Sequence, residues 1–272
     1  MNDSERGVSV LMAVCASDAK DPFERALTSI WDGQTRRPDQ IVLVQDGVVS
    51  PDVRRVIEKW RERDDVFLNH IVLEKNMGLA FALNSGLEHC KFNYIARMDS
   101  DDYSYPERFS TQSDFLEAWP DIAVVGTFVE EDNGVAENFV RRLPTIHEDL
   151  VKFSQKRNPL NHPSVMMRRS SVSDAGGYPA LRKCQDFALW GKMMSQGHRL
   201  ANIDQVLVKM TAGNEMMARR GLNYWINEIR LFRYLYSIGF ISRYRFWKNT
   251  LGRSIVRIPP MFVRKLMYKH FR

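Results

Sequence analysis

The chain has 272 residues, 44% of them hydrophobic, and a formal net charge of +6. This length accommodates one large α/β domain with an appended element and excludes an assembly of three domains. The three cysteines, Cys15, Cys90 and Cys184, are too few and too scattered for a disulfide framework or a Cys-rich zinc site. No apolar run is long enough to span a membrane, and the N-terminus lacks the apolar core of a signal peptide, so we expect a cytoplasmic protein.

The first third of the chain repeats a unit made of one buried strand and one amphipathic helix. Apolar runs rich in β-branched residues predict three strands, at Val8–Val14, Ile41–Val44 and Val66–Leu73. Helix-start signals follow each strand, at Asp21-Pro22, Ser50-Pro51 and Lys75-Asn76-Met77-Gly78. Asp21 is the expected N-cap of the first helix, and Gly33 is expected to close it. This alternation predicts a mainly parallel sheet with right-handed crossovers.

A fourth predicted strand, Phe92–Met98, stops abruptly at an acidic cluster formed by Asp99, Asp101 and Asp102. Asp46 also directly follows an apolar strand, so the carboxylates are expected on one rim of the sheet, where parallel sheets bind ligands. Hard oxygen ligands at this density suit Mg²⁺ or Mn²⁺ shared with phosphates. A solvated acidic turn and, for Asp46, a simple turn residue are the alternatives. Arg97 either pairs with one of the carboxylates or touches a ligand.

The second half of the chain is less regular. A helix is predicted from Pro106 to Trp119, and then a strand, Ile122–Val129, that ends in the acidic loop Glu130-Glu131-Asp132. Pro163–Met167 resembles a short strand with proline at its start. The Gly-rich stretch Ser173–Arg182 predicts a mobile loop, followed by a helix with Asp186 near its N-terminus.

Two common nucleotide-binding motifs are missing from the sequence. No G-x-G-x-x-G follows the first strand, and no Walker lysine loop is present. These absences argue against a nicotinamide dehydrogenase and against a P-loop enzyme. A nucleotide bound at this sheet must therefore be held by carboxylates and a metal.

Seven ordered motifs together make the sequence resemble the family 2 glycosyltransferases of the GT-A fold, in particular bacterial enzymes of exopolysaccharide and O-antigen synthesis. The resemblance covers roughly residues 7–215 and rests on VSVLMAV, SIWDGQT, IVLVQDG, KNMGLAFALNSGL, MDSDDYSYPERF, NHPSVMMRR and CQDFALW. It implies a Rossmann-like α/β domain that binds a nucleotide-sugar donor, with UDP as the expected nucleotide. It also implies Mn²⁺ or Mg²⁺ as cofactor.

The resemblance assigns roles to individual residues. Asp46 would bind the nucleotide base, and Asp99 and Asp101 match the DXD motif, with Asp99 facing the ribose or metal and Asp101 coordinating the cation. Asp186 matches the general base. Further substrate contacts are expected from Lys75, Asn76 and His162. Asp186 as a helix cap and His162 as a hydrogen-bonded structural histidine are the alternatives.

The sequence departs from the family pattern at two places. Gln185 stands before Asp186 where the family usually has glutamate, so the expected base keeps its carboxylate but loses a charged neighbour. Cys15-Ala16 stands where the family usually has Tyr-Asn after the first strand. The nucleotide contacts expected at that point are therefore different in this chain.

The C-terminal segment differs in charge from the rest of the chain. Residues 219–272 contain thirteen Lys or Arg and one acid, Glu228, which leaves a net charge of −6 on residues 1–218. We therefore divide the chain into a catalytic domain, residues 1–215, and a basic extension, residues 216–272. Between Arg243 and Ile258 an apolar stripe of Tyr, Trp, Leu and Ile faces a basic one, a pattern typical of helices that lie on anionic membranes. Burial of this stripe against the domain or a second subunit is the rival reading, and nucleic-acid binding is not expected.

These expectations combine into a metal-dependent, inverting glycosyltransferase at the inner face of the cell membrane. It would extend a saccharide acceptor, possibly lipid-linked, from a nucleotide sugar. One alternative is a noncatalytic nucleotide-sugar-binding or scaffold protein of the same fold. Another, a sugar-phosphate nucleotidyltransferase, would need a Gly-rich basic loop after the first strand, which Cys15-Ala16-Ser17-Asp18 does not supply.

Overall fold

The structure is a computed structural model that describes residues 7–132, 139–211 and 222–257. The predicted domain boundary at residue 215, the start of the basic extension and the stretch from Ile258 to Arg272 lie outside these ranges. Within them, no helix is both long enough and apolar enough to cross a bilayer. All three cysteines are free thiols, as predicted.

The described residues form an α/β fold. Its strands are β1 Val8–Val14, β2 Gln40–Asp46, β3 Leu68–Leu73, β4 Tyr94–Met98, β5 Tyr103–Ser104, β6 Ile122–Asp132, β7 Phe139–Arg141, β8 Met166–Arg168 and β9 Arg199–Thr211. Its helices are α1 Lys20–Ile30, α2 Pro51–Arg61, α3 Leu79–Leu87, α4 Arg108–Ala118, α5 His147–Ser154, α6 Arg169–Asp174, α7 Gln185–Ser195, α8 Leu222–Ser237 and α9 Arg243–Arg257. A short 3-10 turn spans His162–Ser164.

The strands form one sheet in the order β3-β2-β1-β4-β8-β6-β9-β5, with β7 paired to β6. The first four strands of this order are parallel, as the strand–helix repeat predicts. β8 is antiparallel to both of its neighbours, β4 and β6, and β5 is antiparallel to β9. The sheet is therefore mixed from β8 outward, and the prediction of a mainly parallel sheet holds for its N-terminal half.

Both faces of the sheet are covered, which explains why its first strands are continuous apolar runs. Every residue of β2 and of β4 is buried. One apolar cluster lies between the sheet and α1, α2 and α4, and a second lies on the opposite face with α3, α5 and α7. The carboxyl ends of β2 and β4 therefore reach the rim of a rigid, closely packed sheet.

Two predicted helix starts have different outcomes. Ser50 caps α2 as expected, because its hydroxyl accepts a hydrogen bond from the Val53 N–H at 3.2 Å. The prediction that Asp21 caps α1 is wrong, since the helix begins at Lys20 after an extended Ala19 that makes no side-chain cap bond. Pro22 still fits, because it falls in the first turn, where backbone N–H groups have no partner inside the helix.

Of two predictions for the second half, one is wrong and the other holds only in part. The acids Glu130, Glu131 and Asp132 do not form a loop, because β6 continues through them, paired with β7 and β9. Cations on those strands balance the charge, with Lys209 at 2.9 Å from Asp132. The strand expected from Pro163 is a 3-10 turn followed by β8, because the fixed φ of proline suits the start of a turn.

The stretch from Ser173 to Arg182 is anchored where a mobile loop was expected. It begins inside α6 and then turns through Gly176 and Gly177, whose φ values are +71° and +70°. The backbone of Tyr178, just after this turn, is hydrogen-bonded to the Asn84 side chain of α3. The helix predicted next is present as α7.

The first C-terminal helix, α8, covers α7. Leu231, Phe232 and Leu235 of α8 form a buried cluster with Phe187 and Ala188. A Cβ atom added at Gly191 of α7 would lie 2.3 Å from Leu235 Cδ2, so the two helices need glycine at their crossing.

The outer face of α9 is exposed. Its apolar stripe has exposed fractions of 68% at Tyr244, 59% at Trp247, 64% at Leu251 and 56% at Ile255. The stripe is therefore not buried against the described part of its own chain, which removes one of the two packing alternatives.

Candidate active site

The carboxyl end of β2 places Asp46 against the start of α3. Its two carboxylate oxygens accept backbone N–H bonds from Met77 at 2.6 Å and from Gly78 at 2.9 Å. Gly47 follows with a φ of +82°, and a Cβ atom there would lie 2.6 Å from the Asn76 nitrogen. The structure thus brings Asp46, Lys75 and Asn76 together at one corner of the rim, with Lys75 and Asn76 exposed.

The acidic cluster lies at the carboxyl end of β4, as predicted. Asp102 is buried, and one of its oxygens accepts the Thr211 N–H at 2.8 Å. A fourth acid joins the cluster from the loop after β1, because the Ser100 hydroxyl donates to Asp18 at 2.6 Å. Burial and the charge of Asp99 raise the pKa of Asp101. The site is therefore crowded with negative charge that requires an offsetting cation.

The donor set fits a divalent metal ion. The second oxygen of Asp102 is buried and has no hydrogen-bond partner among the described residues, and Asp99 and Asp101 beside it in the chain are both half-buried. No group of three His, Cys, Asp or Glu side chains in the described ranges has the arrangement of an all-protein metal site. Mg²⁺ and Mn²⁺ sites that take only one or two protein carboxylates and complete their shell with phosphates and water need no such group.

Arg97, near the end of β4, lies two residues before Asp99. Its guanidinium is ion-paired with Asp99 and is almost fully buried. Its Nε and Nη1 groups have no hydrogen-bond partner in the part of the chain that the structure describes. A buried guanidinium is stable only beside negative charge, so Arg97 fixes the side chain of Asp99 and balances part of its charge.

Asp186 lies in the first turn of α7. Cys184, two residues before it, has a φ of +61°, the one positive value at a non-glycine position in the described ranges. The Asn158 amide donates to the Asp186 carboxylate at 2.5 Å. Burial raises the pKa of Asp186, and its hydrogen bonds and the charge of Arg97 offset part of that shift. A carboxylate with a raised pKa is a stronger base than an exposed one.

Electrostatics connect Asp186 with the acidic cluster. The charge of Arg97 lowers the pKa values of Asp186 and of His162, so both groups lie within its range. Burial raises the pKa of the Tyr178 hydroxyl, and the charges of Asp186 and Asp99 raise it further. The expected base Asp186 and Asp99 of the DXD motif therefore both contribute to the electrostatic environment of Tyr178.

His162 lies in the 3-10 turn and shares a hydrogen bond of 3.0 Å with the Tyr178 hydroxyl. Burial holds the pKa of His162 well below its usual value, so the imidazole is neutral. These contacts match the alternative of a hydrogen-bonded structural histidine. The hydrogen-bond partner of His162 is also linked to the site, because the charges of Asp99 and Asp186 raise the pKa of the Tyr178 hydroxyl.

The Asn84 amide of α3 clamps the backbone of Tyr178. Its Nδ2 donates to the Tyr178 carbonyl at 2.9 Å, and its Oδ1 accepts the Tyr178 N–H at 2.8 Å. A Cβ atom on Gly177 would lie 2.5 Å from that Oδ1, so the clamp needs glycine there. The start of α3 thus binds Asp46, and the Asn84 side chain of the same helix positions Tyr178.

Sequence reasoning missed Asp18, Asn84, Asn158 and Tyr178. Each reaches the site through a contact between residues far apart in the chain, such as the 94 positions between Asn84 and Tyr178. One usable signal existed for Asn84, since it lies within the KNMGLAFALNSGL motif. The alternative that Arg97 pairs with a carboxylate is the one the structure bears out.

Comparisons with known proteins show similarity to one family of enzymes along most of the chain. The sequence model described as "Glycosyl transferase family 2" matches residues 9–176. The amylovoran biosynthesis glycosyltransferase AmsE of Erwinia amylovora is 37% identical over 97% of this chain and 98% of its own length. A UDP-Gal:alpha-D-GlcNAc-diphosphoundecaprenol beta-1,3-galactosyltransferase of Escherichia coli is 35% identical over 99% of this chain and 98% of its own.

Solved structures share the fold. The mannosyltransferase PcManGT from Pyrobaculum calidifontis, in complex with GDP-Man and Mn²⁺, superposes with a TM-score of 0.65. The match covers 91% of this chain and 68% of that one, at 16% sequence identity. At this identity the likeness concerns the fold, which is the GT-A arrangement of a curved mixed sheet flanked by helices.

Proposed function

The chain belongs to glycosyl transferase family 2, and from this premise we propose that it is an inverting, metal-dependent glycosyltransferase of surface polysaccharide synthesis. The donor we propose is a UDP-sugar and the acceptor a saccharide carried on a lipid diphosphate. The Escherichia coli relative, matched along nearly its whole length, is named for such a donor and acceptor. Arg97 carries the mechanistic part of the proposal, because it pairs with Asp99 and its charge also reaches Asp186.

Each proposed site residue has one task. Asp46, Lys75 and Asn76 hold the nucleotide at the corner between β2 and α3. Asp99 and Asp101 hold Mn²⁺ or Mg²⁺, which when bound supplies positive charge against the leaving diphosphate. His162, fixed by Tyr178, lines the acceptor side.

Asp186 is the proposed general base. Its carboxylate takes the proton of the acceptor hydroxyl while that oxygen forms a bond to the anomeric carbon and the bond from this carbon to the diphosphate oxygen breaks. Displacement from the face opposite the leaving group inverts the anomeric configuration. An α-linked donor then gives a β-linked product, the linkage named for the Escherichia coli relative.

A product assay tests this function. The purified chain is incubated with a panel of nucleotide sugars and a synthetic sugar-diphosphate-lipid acceptor, with Mn²⁺, with Mg²⁺ or with EDTA. We expect transfer from one UDP-sugar, dependence on the metal, and a β linkage by NMR. An α linkage would refute inversion, and binding of the donor without any transfer would favour the noncatalytic alternative.

We also propose that the basic extension attaches the enzyme to an anionic membrane surface. Four exposed apolar side chains of α9 lie three or four residues apart, and Lys248 and Arg245 stand among them. Such a face inserts at the boundary between lipid headgroups and acyl chains, while basic residues add about 1 kcal/mol each near anionic lipid. The charge difference between residues 1–218 and the extension also supports attachment of the extension to an anionic surface.

Flotation with vesicles that contain phosphatidylglycerol tests the attachment. Truncation at residue 215 is unsuitable, because α8 covers Phe187 and Ala188 of α7. We expect the double variant Trp247→Ser/Leu251→Ser to float much less than the parent chain. The matched control Trp119→Ser/Phe139→Ser removes two other exposed apolar side chains and should float normally. Equal flotation of both variants would contradict the proposal.

A further inference from the structure

A basic groove lies beside α5, apart from the acidic cluster. It encloses about 430 Å³ and is lined by Lys152, Lys156 and Arg157 together with Pro144, Asp149 and Phe153. Asp149, its one acid, is already paired with Lys152 at 3.0 Å. Lys156 and Arg157 are exposed and form no salt bridge within the described ranges. Two cations therefore remain to receive an anionic group.

The chain leads directly from this groove to the proposed general base. Asn158 follows Arg157, and its amide donates to Asp186 at 2.5 Å. Four residues further along, His162 is bonded to Tyr178. Arg157 of the groove is therefore the neighbour in sequence of the residue whose amide binds the proposed base.

The other side of the same segment is held by α9. Asn249 donates to the Gln155 carbonyl at 2.7 Å, and Arg253 donates to the Lys156 carbonyl at 3.1 Å. Arg253 is itself paired with the buried Glu228 at 3.2 Å. The segment that carries Lys156 and Arg157 is thus bonded to α9, the helix with the exposed apolar face, and through Asn158 to Asp186.

We propose that Lys156 and Arg157 bind the diphosphate of the lipid-linked acceptor, with Phe153 and Pro144 against the adjoining carbon atoms of the lipid. This inference rests on the proposed function, because it requires an acceptor whose sugar reaches Asp186. A diphosphate joins the sugar to the lipid, so it must lie between the reacting hydroxyl and the membrane. Ammonium and guanidinium groups bind phosphate oxygens through charge-assisted hydrogen bonds, and the groove has the volume of a small-ligand site.

Two acceptors that differ in one group test the groove directly. Both carry the same sugar, one on a short alkyl diphosphate and the other on a neutral alkyl chain, and both are assayed in solution without vesicles. For Lys156→Glu/Arg157→Glu we expect KM for the diphosphate acceptor to rise about tenfold or more, since each charge-assisted bond is worth roughly a factor of ten. KM for the neutral acceptor and kcat for both should stay unchanged. Equal effects on both acceptors, or none on either, would overturn the proposal.

A matched control and a milder variant are assayed with the same two acceptors. Arg54→Glu/Arg55→Glu makes the same charge change on two exposed residues of α2 and should leave both KM values unchanged. If the glutamate variant is poorly folded by thermal denaturation, Lys156→Gln/Arg157→Gln takes its place, with the same selective rise in KM expected.

Direct binding separates this proposal from the proposed function. Anisotropy of a fluorescent short-chain isoprenyl diphosphate is measured in EDTA, so that metal-dependent binding at the acidic cluster does not contribute. We expect Lys156→Glu/Arg157→Glu to weaken this binding about tenfold and inorganic pyrophosphate to compete with it. A chain that transfers no sugar but still binds the probe through these residues would refute the proposed function alone.

Binding to vesicles distinguishes a lipid diphosphate from an ordinary phospholipid headgroup as the source of the phosphate group. Vesicles that contain phosphatidylglycerol but no diphosphate lipid should bind the parent chain, Arg54→Glu/Arg55→Glu and Lys156→Glu/Arg157→Glu equally. Loss of vesicle binding with unchanged binding of the diphosphate probe would mean that the groove takes ordinary lipid headgroups, and the proposal would be wrong.

Discussion

The two halves of the α/β fold hold their carboxylates in different ways. In the N-terminal half, β1–β4 with α1–α3, Asp46 is bound by backbone N–H groups at the start of α3. In the C-terminal half, β6–β9 with α5–α7, Asp186 is bound by the side chain of Asn158 in addition to backbone N–H groups of its own helix turn, and Tyr178 is bound by the side chain of Asn84. Backbone groups tolerate most substitutions, whereas side-chain contacts do not. The halves should therefore respond differently to mutation.

Asp101→Asn should have the largest effect and should be confined to the donor side. Removing a proposed metal ligand takes away charge that offsets the leaving diphosphate, so we expect kcat to fall at least about a thousandfold. Metal-dependent binding of UDP, measured by calorimetry, should be lost with it. Asp114→Asn, an exposed acid of α4, is the control and should keep both. Normal UDP binding by Asp101→Asn would remove Asp101 from the metal site.

Asn84→Ala should have an intermediate effect on the acceptor side. Both hydrogen bonds to the Tyr178 backbone are lost, so we expect KM for the acceptor to rise about tenfold. The dissociation constant for UDP should not change, because Asp46 is bound by backbone N–H groups that the variant retains. A rise in the dissociation constant for UDP of the same size would mean that Asn84 serves the whole fold.

Glycine variants give an independent check of the Asn84 clamp. Gly177→Ala should reproduce the rise in acceptor KM, since its Cβ atom would lie 2.5 Å from the Asn84 Oδ1. Gly197→Ala is the matched control, because Gly197 has a φ of +90° but no atom within 4 Å of the added Cβ. It carries the backbone strain without the collision, so its acceptor KM should be normal.

Asn158→Ala should have the smallest effect and should appear in the pH profile. The Asn158 amide stabilises the Asp186 carboxylate, so its loss raises the pKa of Asp186 further. A base acts in its deprotonated form, so activity falls as pH drops through this pKa, and the acidic limb of kcat/KM should move to higher pH by up to about one unit. Gln155→Ala, which is bonded to the Phe240 carbonyl instead, should leave the limb in place. A shift in both variants would contradict the assignment.

The same difference explains what the sequence could predict. β1 matches its predicted bounds, and Asp46 and Asp99 lie at strand ends as the apolar runs indicate, because buried parallel strands leave a continuous apolar signature. The strands of the second half could not be predicted from continuous apolar runs. β8 has only three residues, too few for a periodic pattern. β9 has 13 residues but was missed, because Asn202, Asp204 and Gln205 interrupt its apolar residues and its pairing with β6 shifts register. Asp186 was found through a family motif, and its partners Asn158 and Tyr178 were not found.

The central claim is that the two halves form one reaction centre in which Asp186 removes the proton. Asp186→Asn tests it most directly, through turnover and metal-dependent UDP binding measured on the same preparation. The account predicts that turnover falls by about 10² to 10⁴ while UDP binding is unchanged, and that the control Asp174→Asn, an exposed acid of α6, keeps both. Full turnover by Asp186→Asn, or loss of UDP binding together with turnover, would contradict it.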